Sequence, residues 1–125
     1  MSNNYLYQEE SAAIIGAAVE MHKELKLGFA EAVYQEGLEM EFKRQNIPFA
    51  SQYPLSLYYK GELMQTKYYA DFLCFNKIIV EIKAVDTLLP EHEAQLLNYL
   101  RVSRLHVGLL INFKKPKIEV KRFVI

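Results

Sequence analysis

Three ionisable residues stand inside stretches otherwise suited to a protein interior. Asp71 lies in the apolar run Tyr68 to Cys74, and Glu81 and Lys83 lie in the run Ile78 to Ala84. Both runs are rich in aromatic and β-branched residues and are separated by a turn at Asn76-Lys77, so they predict two antiparallel strands. A charged side chain in such a strand is costly unless it is paired or holds a metal. Two carboxylates and a lysine on one face would form an oxygen-rich pocket suited to Mg²⁺ or Mn²⁺, which take carboxylate, carbonyl and water ligands. The lysine could position or deprotonate a water, or neutralise charge building on a phosphate. A buried carboxylate–lysine cluster without chemistry is the other reading. The spacing D…ExK arises often enough by chance that these three residues alone leave both open.

Whether the three meet depends on register. Glu81 and Lys83 share one strand face, while Ile78, Val80, Ile82 and Ala84 line the other. A two-residue loop at Asn76-Lys77 would set Asp71 opposite Ile82, on the wrong side. A three-residue loop, Phe75-Asn76-Lys77, sets it opposite Glu81, and Asn tolerates the left-handed conformation such a loop needs. The three-residue loop is the expectation.

The chain of 125 residues, 51% hydrophobic and 24% charged, reads as a single domain spanning 1–125 that buries about two-thirds of its unfolded surface. No apolar run is long enough to span a bilayer, and the opening MSNNYLYQEE lacks a basic segment followed by an apolar one. A cytoplasmic protein without a membrane partner is expected. Cys74 is the lone cysteine and reads as a buried, inert thiol. Zero net charge argues against strong sequence-independent nucleic-acid binding. Lys114, Lys115, Lys117, Lys121 and Arg122 crowd the C-terminal end, either as guards on an edge strand or as a phosphate-binding patch.

The elements that must position the charged cluster follow from periodicity. A helix is predicted from Tyr7 to Leu25 on the spacing of Ile14, Ile15, Ala18, Val19, His22 and Leu25, with Gly28 as its C-cap and His22 as a hydrogen-bonded core histidine. A second helix runs from Ala30 to Gln45, and Glu31 heads the apolar stripe of Tyr34, Leu38 and Phe42. An acid there favours the helix dipole, or reaches toward Asp71. Gln52 to Tyr59 and Leu63 to Cys74 read as strands around a turn at Lys60-Gly61, with Pro54 at an edge or strand start. Pro90 opens a third helix, on which Ala94, Leu97 and Leu100 mark one face and His92, Gln95, Leu96 and Tyr99 an adjoining stripe. The run His106 to Phe113 reads as a buried parallel strand, and Ile118 to Ile125 as an edge strand. The order α-α-β-β-β-α-β-β is that of an α/β (α+β) fold with helices flanking a mixed sheet.

This order, with Asp on the second strand and Glu-x-Lys on the third, resembles the restriction-endonuclease-like core of the PD-(D/E)XK nuclease superfamily. Gly28-Phe29-Ala30-Glu31-Ala32-Val33-Tyr34 matches the GxxExxY motif of a family of small bacterial and archaeal proteins within it. Gln95-Leu96-Leu97-Asn98-Tyr99 matches the QxxxY motif of its RecB-like and λ-exonuclease-like branches. The resemblance covers about Ala12 to Val124. It implies that Asp71 and Glu81 hold Mg²⁺ or Mn²⁺ with the main-chain carbonyl of Ile82, and that Lys83 orients the attacking water or stabilises charge on the phosphate. Glu31 would bind a second metal, directly or through a water, while Gln95 and Tyr99 steady Lys83 or the substrate phosphate. Ala70 stands where the superfamily's name has Pro. By the same resemblance His22 would correspond to the helix histidine that ligates metal in some RecB-like nucleases, at a different spacing.

Three functions compete. The first is a Mg²⁺-dependent nuclease hydrolysing DNA, on ends or single strands rather than at a specific sequence, working as a homodimer or with a partner protein. The second is a non-catalytic module that binds nucleic acid or protein and keeps the charged cluster for structure. The third is a metal-dependent hydrolase of small phosphoesters. With Glu31, Asp71, Glu81, Lys83, Gln95 and Tyr99 all present, catalysis is the preferred reading. Tyr53, Tyr58, Tyr59, Tyr68 and Tyr69 could stack bases, but cross-strand packing explains them as well.

Overall fold

Apolar residues at helical spacing produce two N-terminal helices, α1 (Gln8–Leu25) and α2 (Glu31–Arg44). Acids occupy the first turn of each and basic residues the last, as the helix dipole favours. Period-2 runs then give β1 (Phe49–Tyr59), β2 (Glu62–Cys74) and β3 (Ile78–Lys83), followed by α3 (Pro90–Ser103), β4 (Val107–Asn112) and β5 (Glu119–Val124). The structure, a computed structural model, describes residues 6–125. Residues 1–5, which begin the segment read as lacking a leader, lie outside the described residues.

The strands form one sheet in the order β1-β2-β3-β4-β5. The β3–β4 pair is parallel and the other pairs are antiparallel, so the sheet is mixed. The parallel pair is bridged by α3, the crossover such a pair requires. Both edges match expectation: the edge strand β1 carries Pro54, and the edge strand β5 carries Lys121 and Arg122, with Lys114, Lys115 and Lys117 in the turn before it.

Two cores lie on opposite sides of the sheet. On one side Ile14, Ala18 and Met21 of α1 and Tyr34, Leu38 and Phe42 of α2 meet Phe72, Val80, Ile82, Leu109 and Ile111. Here Phe42, Phe49 and Phe72 pack edge-on or tilted, with centroids 5.2 to 6.0 Å apart. Truncating such a ring to Ala costs about 3–5 kcal/mol. On the other side Leu96, Tyr99 and Leu100 of α3 cover Ala70, Leu73, Ile79 and Leu110. Close approach of α3 depends on Gly108, because a Cβ there would lie 2.8 Å from Leu96 Cδ1.

The faces of two helices differ from expectation. On α1, Ala17 and Met21 are buried while Val19 is 41% exposed, because the stripe is centred on the α2 contact. On α3 the buried residues are Leu96, Tyr99 and Leu100; Ala94 is exposed and Leu97 half-buried. Of the predicted shoulder, Leu96 and Tyr99 thus belong to the packed face while Gln95 stays exposed, since α3 lies across the sheet and against β1. Nor is Gly28 the C-cap of α1. Lys26 takes that place with φ 69°, its N–H donated to the His22 carbonyl, while Gly28 supplies a second left-handed residue (φ 97°) in the turn toward α2.

The β2–β3 loop is the expected three-residue one. Cys74 pairs with Ile78, Lys77 N–H is donated to the Cys74 carbonyl at 3.1 Å, and both Phe75 (φ 54°) and Asn76 (φ 58°) are left-handed. The tip of the β1–β2 hairpin is a two-residue turn, with Lys60 (φ 49°) and Gly61 (φ 83°) between the paired Tyr59 and Glu62. Among the described residues, no helix is long and apolar enough to cross a membrane.

Candidate active site

Register places Asp71 one rung beyond the last paired residues of β2 and β3, Phe72 and Val80, and therefore opposite Glu81. Main-chain pairing stops there and the carboxylates take over. The Asp71 N–H is donated to Glu81 Oε2 at 2.6 Å, and the Ile82 N–H to Asp71 Oδ2 at 2.8 Å. Each carboxylate thus stands in for a carbonyl of the interrupted ladder. One oxygen of each is committed to the backbone and the second is not.

The sheet side supports this arrangement. Ile78, Val80 and Ile82 point into the α1/α2 core, which leaves Glu81 and Lys83 on the α3 side. Glu81 is only 3% exposed. Burial and, next, the like charge of Asp71 push its carboxyl up to about 8, against the opposing influence of the Asp71 N–H and the Lys83 ammonium. Burial raises Asp71 as well, opposed by the Ile82 N–H, Lys83 and the Gln52 side chain. Two acids this close and this dry do not both ionise readily unless a cation joins them.

Glu31 heads α2 at the surface beside the cluster. Burial raises its carboxyl, while Lys83 draws it down and Asp71 pushes it up, so all three charges act on one another. Its position follows from GxxExxY: Gly28 allows the left-handed turn, and Tyr34 closes it by donating its hydroxyl to the Lys26 carbonyl at 2.7 Å. The Tyr34 ring stacks on Phe113 at 5.1 Å. His22 sits in the same layer, with Nε2 donating to the Phe113 carbonyl at 3.0 Å. It is a buried, hydrogen-bonded core histidine.

Tyr99 reaches the cluster from α3. It is 7% exposed, packs on Tyr68 at 5.3 Å, and has its hydroxyl raised by burial and by the charges of Glu81 and Asp71. Gln95 lies one turn earlier on α3, exposed, and no hydrogen bond joins it to the carboxylates among the described residues. Cys74 is buried and its thiol is pushed up to about 12, too high for a nucleophile. Of the C-terminal basic residues, Lys121 pairs with Glu93 at 2.5 Å, Lys115 with Glu119 at 3.5 Å, and Arg122 donates to the Leu6 carbonyl.

Three neighbours of the site were not singled out from sequence. Gln35 donates Nε2 to the Asp71 carbonyl at 3.2 Å; its place one helical turn after Glu31 is a signal that sequence offered. Asn112, fully buried at the end of β4 beside Lys83, receives the Val85 N–H and donates to the Val85 carbonyl. A single amide ending the apolar run HVGLLINF could have been noticed. Gln52 of β1 faces Asp71 and gave no signal, since a polar residue in an edge strand is ordinary.

Among the described residues, no group of three or more His, Cys, Asp or Glu side chains is arranged to hold a metal. The donor set is two facing carboxylates, each with one oxygen bonded to a backbone N–H and the other not so committed. That set fits Mg²⁺ or Mn²⁺, which complete their shells with water, rather than a metal that demands a full cage of side chains.

Comparison with known proteins bears on the fold and the family. No curated protein matches the chain. The solved crystal structure of SSO0001 superposes with a TM-score of 0.59 at 22% identity, covering 94% of this chain and 60% of that one. The chain therefore spans about three-fifths of that neighbour's length, and the likeness is one of fold. A family model described as the PD-(D/E)XK nuclease superfamily matches residues 8–123. With a mixed five-stranded sheet between helices and the acidic pair on its second and third strands, the chain belongs to the PD-(D/E)XK nuclease superfamily and has the restriction-endonuclease-like fold.

Proposed function

We propose that this protein is a Mg²⁺- or Mn²⁺-dependent nuclease of the GxxExxY family, with the QxxxY motif, that hydrolyses DNA phosphodiester bonds at ends or in single strands. The observation that carries the reading is the meeting of Asp71 and Glu81 across the interrupted ladder, with Lys83 two residues beyond Glu81. Asp71 and Glu81 would hold the ion together with the Ile82 carbonyl, and Glu31 would approach from the rim. When bound, a divalent ion polarises a phosphoryl oxygen and favours hydroxide over water at neutral pH. The side chains do the rest. Lys83 neutralises charge on the phosphate and orients the attacking water, Tyr99 and Gln95 hold Lys83 or a phosphate oxygen, and the α3 layer keeps the cluster dry so that these charges act strongly. A zero net charge gives little hold on long duplex DNA, which favours ends and single strands and a second copy or partner protein to supply grip.

The test is degradation of labelled single- and double-stranded DNA with Mg²⁺, Mn²⁺ or EDTA, comparing wild type with Lys83→Ala purified identically. Metal-dependent cleavage lost in the variant supports the reading. Equal cleavage by both, or DNA binding with no cleavage under any metal, refutes it.

A further inference from the structure

Gln52 occupies an unusual place on β1. It falls between the pairs Ser51–Phe72 and Tyr53–Ala70, hence directly across from Asp71, but does not itself pair. Its backbone is left-handed, with φ 48°. For a residue with a Cβ this conformation costs about 1–2 kcal/mol.

The hairpin also changes faces at this rung. On β2, Tyr68 and Ala70 belong to the α3-side core whereas Phe72 and Cys74, of the same parity, belong to the α1/α2 side. On β1, Phe49 lies on the α1/α2 side and Tyr53 and Leu55 on the α3 side. A regular strand keeps its parity. The residue pairing is unchanged from Ser51–Phe72 to Tyr53–Ala70, so both strands turn over together at Gln52 and Asp71. This is also where β2 parts from β3.

Glycine or asparagine would adopt such a backbone at less cost. The turn alone therefore does not call for glutamine, and the side chain must contribute something. Gln52 is exposed on the rung directly across from Asp71, a position from which a carboxamide can reach the facing carboxylate, and its side chain helps to draw the Asp71 carboxyl down against burial. Asp71 is then gripped at several points: its carbonyl by Gln35, its N–H by Glu81, one carboxylate oxygen by the Ile82 N–H. A carboxylate held by a single N–H can still swivel about that bond, and a second donor sets its plane.

We propose that Gln52 is a positioning residue of the metal site, its left-handed backbone turning the hairpin and its carboxamide fixing the Asp71 carboxylate for the ion. The proposal rests on the metal-binding reading above. Groups that orient a ligand in this way are worth about 10- to 100-fold in metal affinity.

The experiment titrates the full-length protein with Mn²⁺ alone, by calorimetry, for wild type, Gln52→Gly and Asp71→Asn, with thermal unfolding of each. Glycine relieves the backbone strain and deletes the carboxamide. Gln52→Gly is expected to unfold at the same or a higher temperature yet to bind Mn²⁺ about tenfold or more weakly, a divergence that a purely structural role would not produce. Wild-type Mn²⁺ affinity in Gln52→Gly, with binding lost in Asp71→Asn, overturns the role of Gln52 and leaves the metal site standing. Undiminished binding in Asp71→Asn overturns the metal site itself. If the glycine variant does not fold, Gln52→Asn replaces it: its side chain is one methylene short of Asp71, weaker binding is expected, and wild-type affinity refutes the proposal.

Discussion

Asp71 and Glu81 exchange hydrogen bonds through the backbone: Glu81 accepts the N–H of Asp71 itself, and Asp71 accepts the N–H of the residue after Glu81. Neither carboxylate hangs freely in a pocket. Each is built into the sheet, and the chemistry available to one depends on the charge of the other.

The first prediction concerns pH and stability without metal. Glu81 rises from its ordinary 4.5 to about 8 on folding. Between those values the folded protein keeps a proton that the unfolded chain has released, so stability falls as pH rises through this window and levels off above it. The melting temperature is expected to drop between pH 5 and pH 8. Glu81→Gln should melt several degrees higher than wild type at pH 8, with a flatter profile; a wild-type melting temperature that climbs steadily over the same range would refute this.

Divalent ions should act in the opposite direction. Holding an ion requires both carboxylates ionised, so its uptake must expel the proton that Glu81 keeps. Calorimetric titration with Mn²⁺ at pH 7 in buffers of different ionisation enthalpy should reveal release of roughly one proton. Affinity should strengthen from pH 6 to pH 8. A buffer-independent heat would show that the pair is already ionised before the ion arrives.

Lys83 is half-buried at the end of β3 and joins neither core. Lys83→Ala should lower the cleavage rate by about 100-fold or more, the range seen when one electrostatic donor is removed from a transition state. Its melting temperature and Mn²⁺ affinity should stay close to wild type. A variant that instead lost its fold would assign Lys83 to structure.

Tyr34 predicts a coupling between a distant hydroxyl and the site. Tyr34→Phe removes the bond to the Lys26 carbonyl while keeping the ring on Phe113. A loss of about 1 kcal/mol is expected, with faster amide exchange confined to residues 26–31. Activity should fall modestly because Glu31 loses its fixed approach. Unchanged exchange in that loop would show that Gly28 and the helix start hold it unaided.

Asn112→Ala tests the chain leaving the site. It strands both the N–H and the carbonyl of Val85, two residues beyond Lys83, and should cost about 2 kcal/mol. Turnover should fall more than Mn²⁺ affinity does, since Lys83 loosens while Asp71 and Glu81 stay in place. A melting temperature equal to wild type would show that water replaces the amide freely.

Much of this is legible in the sequence. Charges set in apolar runs mark Asp71, Glu81 and Lys83, and strand parity with a three-residue loop sets Asp71 opposite Glu81 with Lys83 on the same face as Glu81, because register is a property of counting. The helix faces were less legible. Val19 and Ala94 were assigned to the core on periodicity, but which part of a broad apolar stripe is buried depends on the neighbour that covers it. Gln52 was invisible for a different reason. Its role depends on a left-handed backbone and on a partner 19 positions away, and neither leaves a local pattern in composition or period.

The short β2–β3 ladder has a mechanical side. Beyond Phe72 the long β1–β2 hairpin is tied to the rest of the sheet by carboxylates where carbonyls would ordinarily serve. A carbonyl keeps the same charge at any pH, whereas a carboxylate does not. The hairpin is therefore fastened to β3 through the very groups whose charge the site sets, so a proton or a divalent ion taken up there is felt at the hairpin's root.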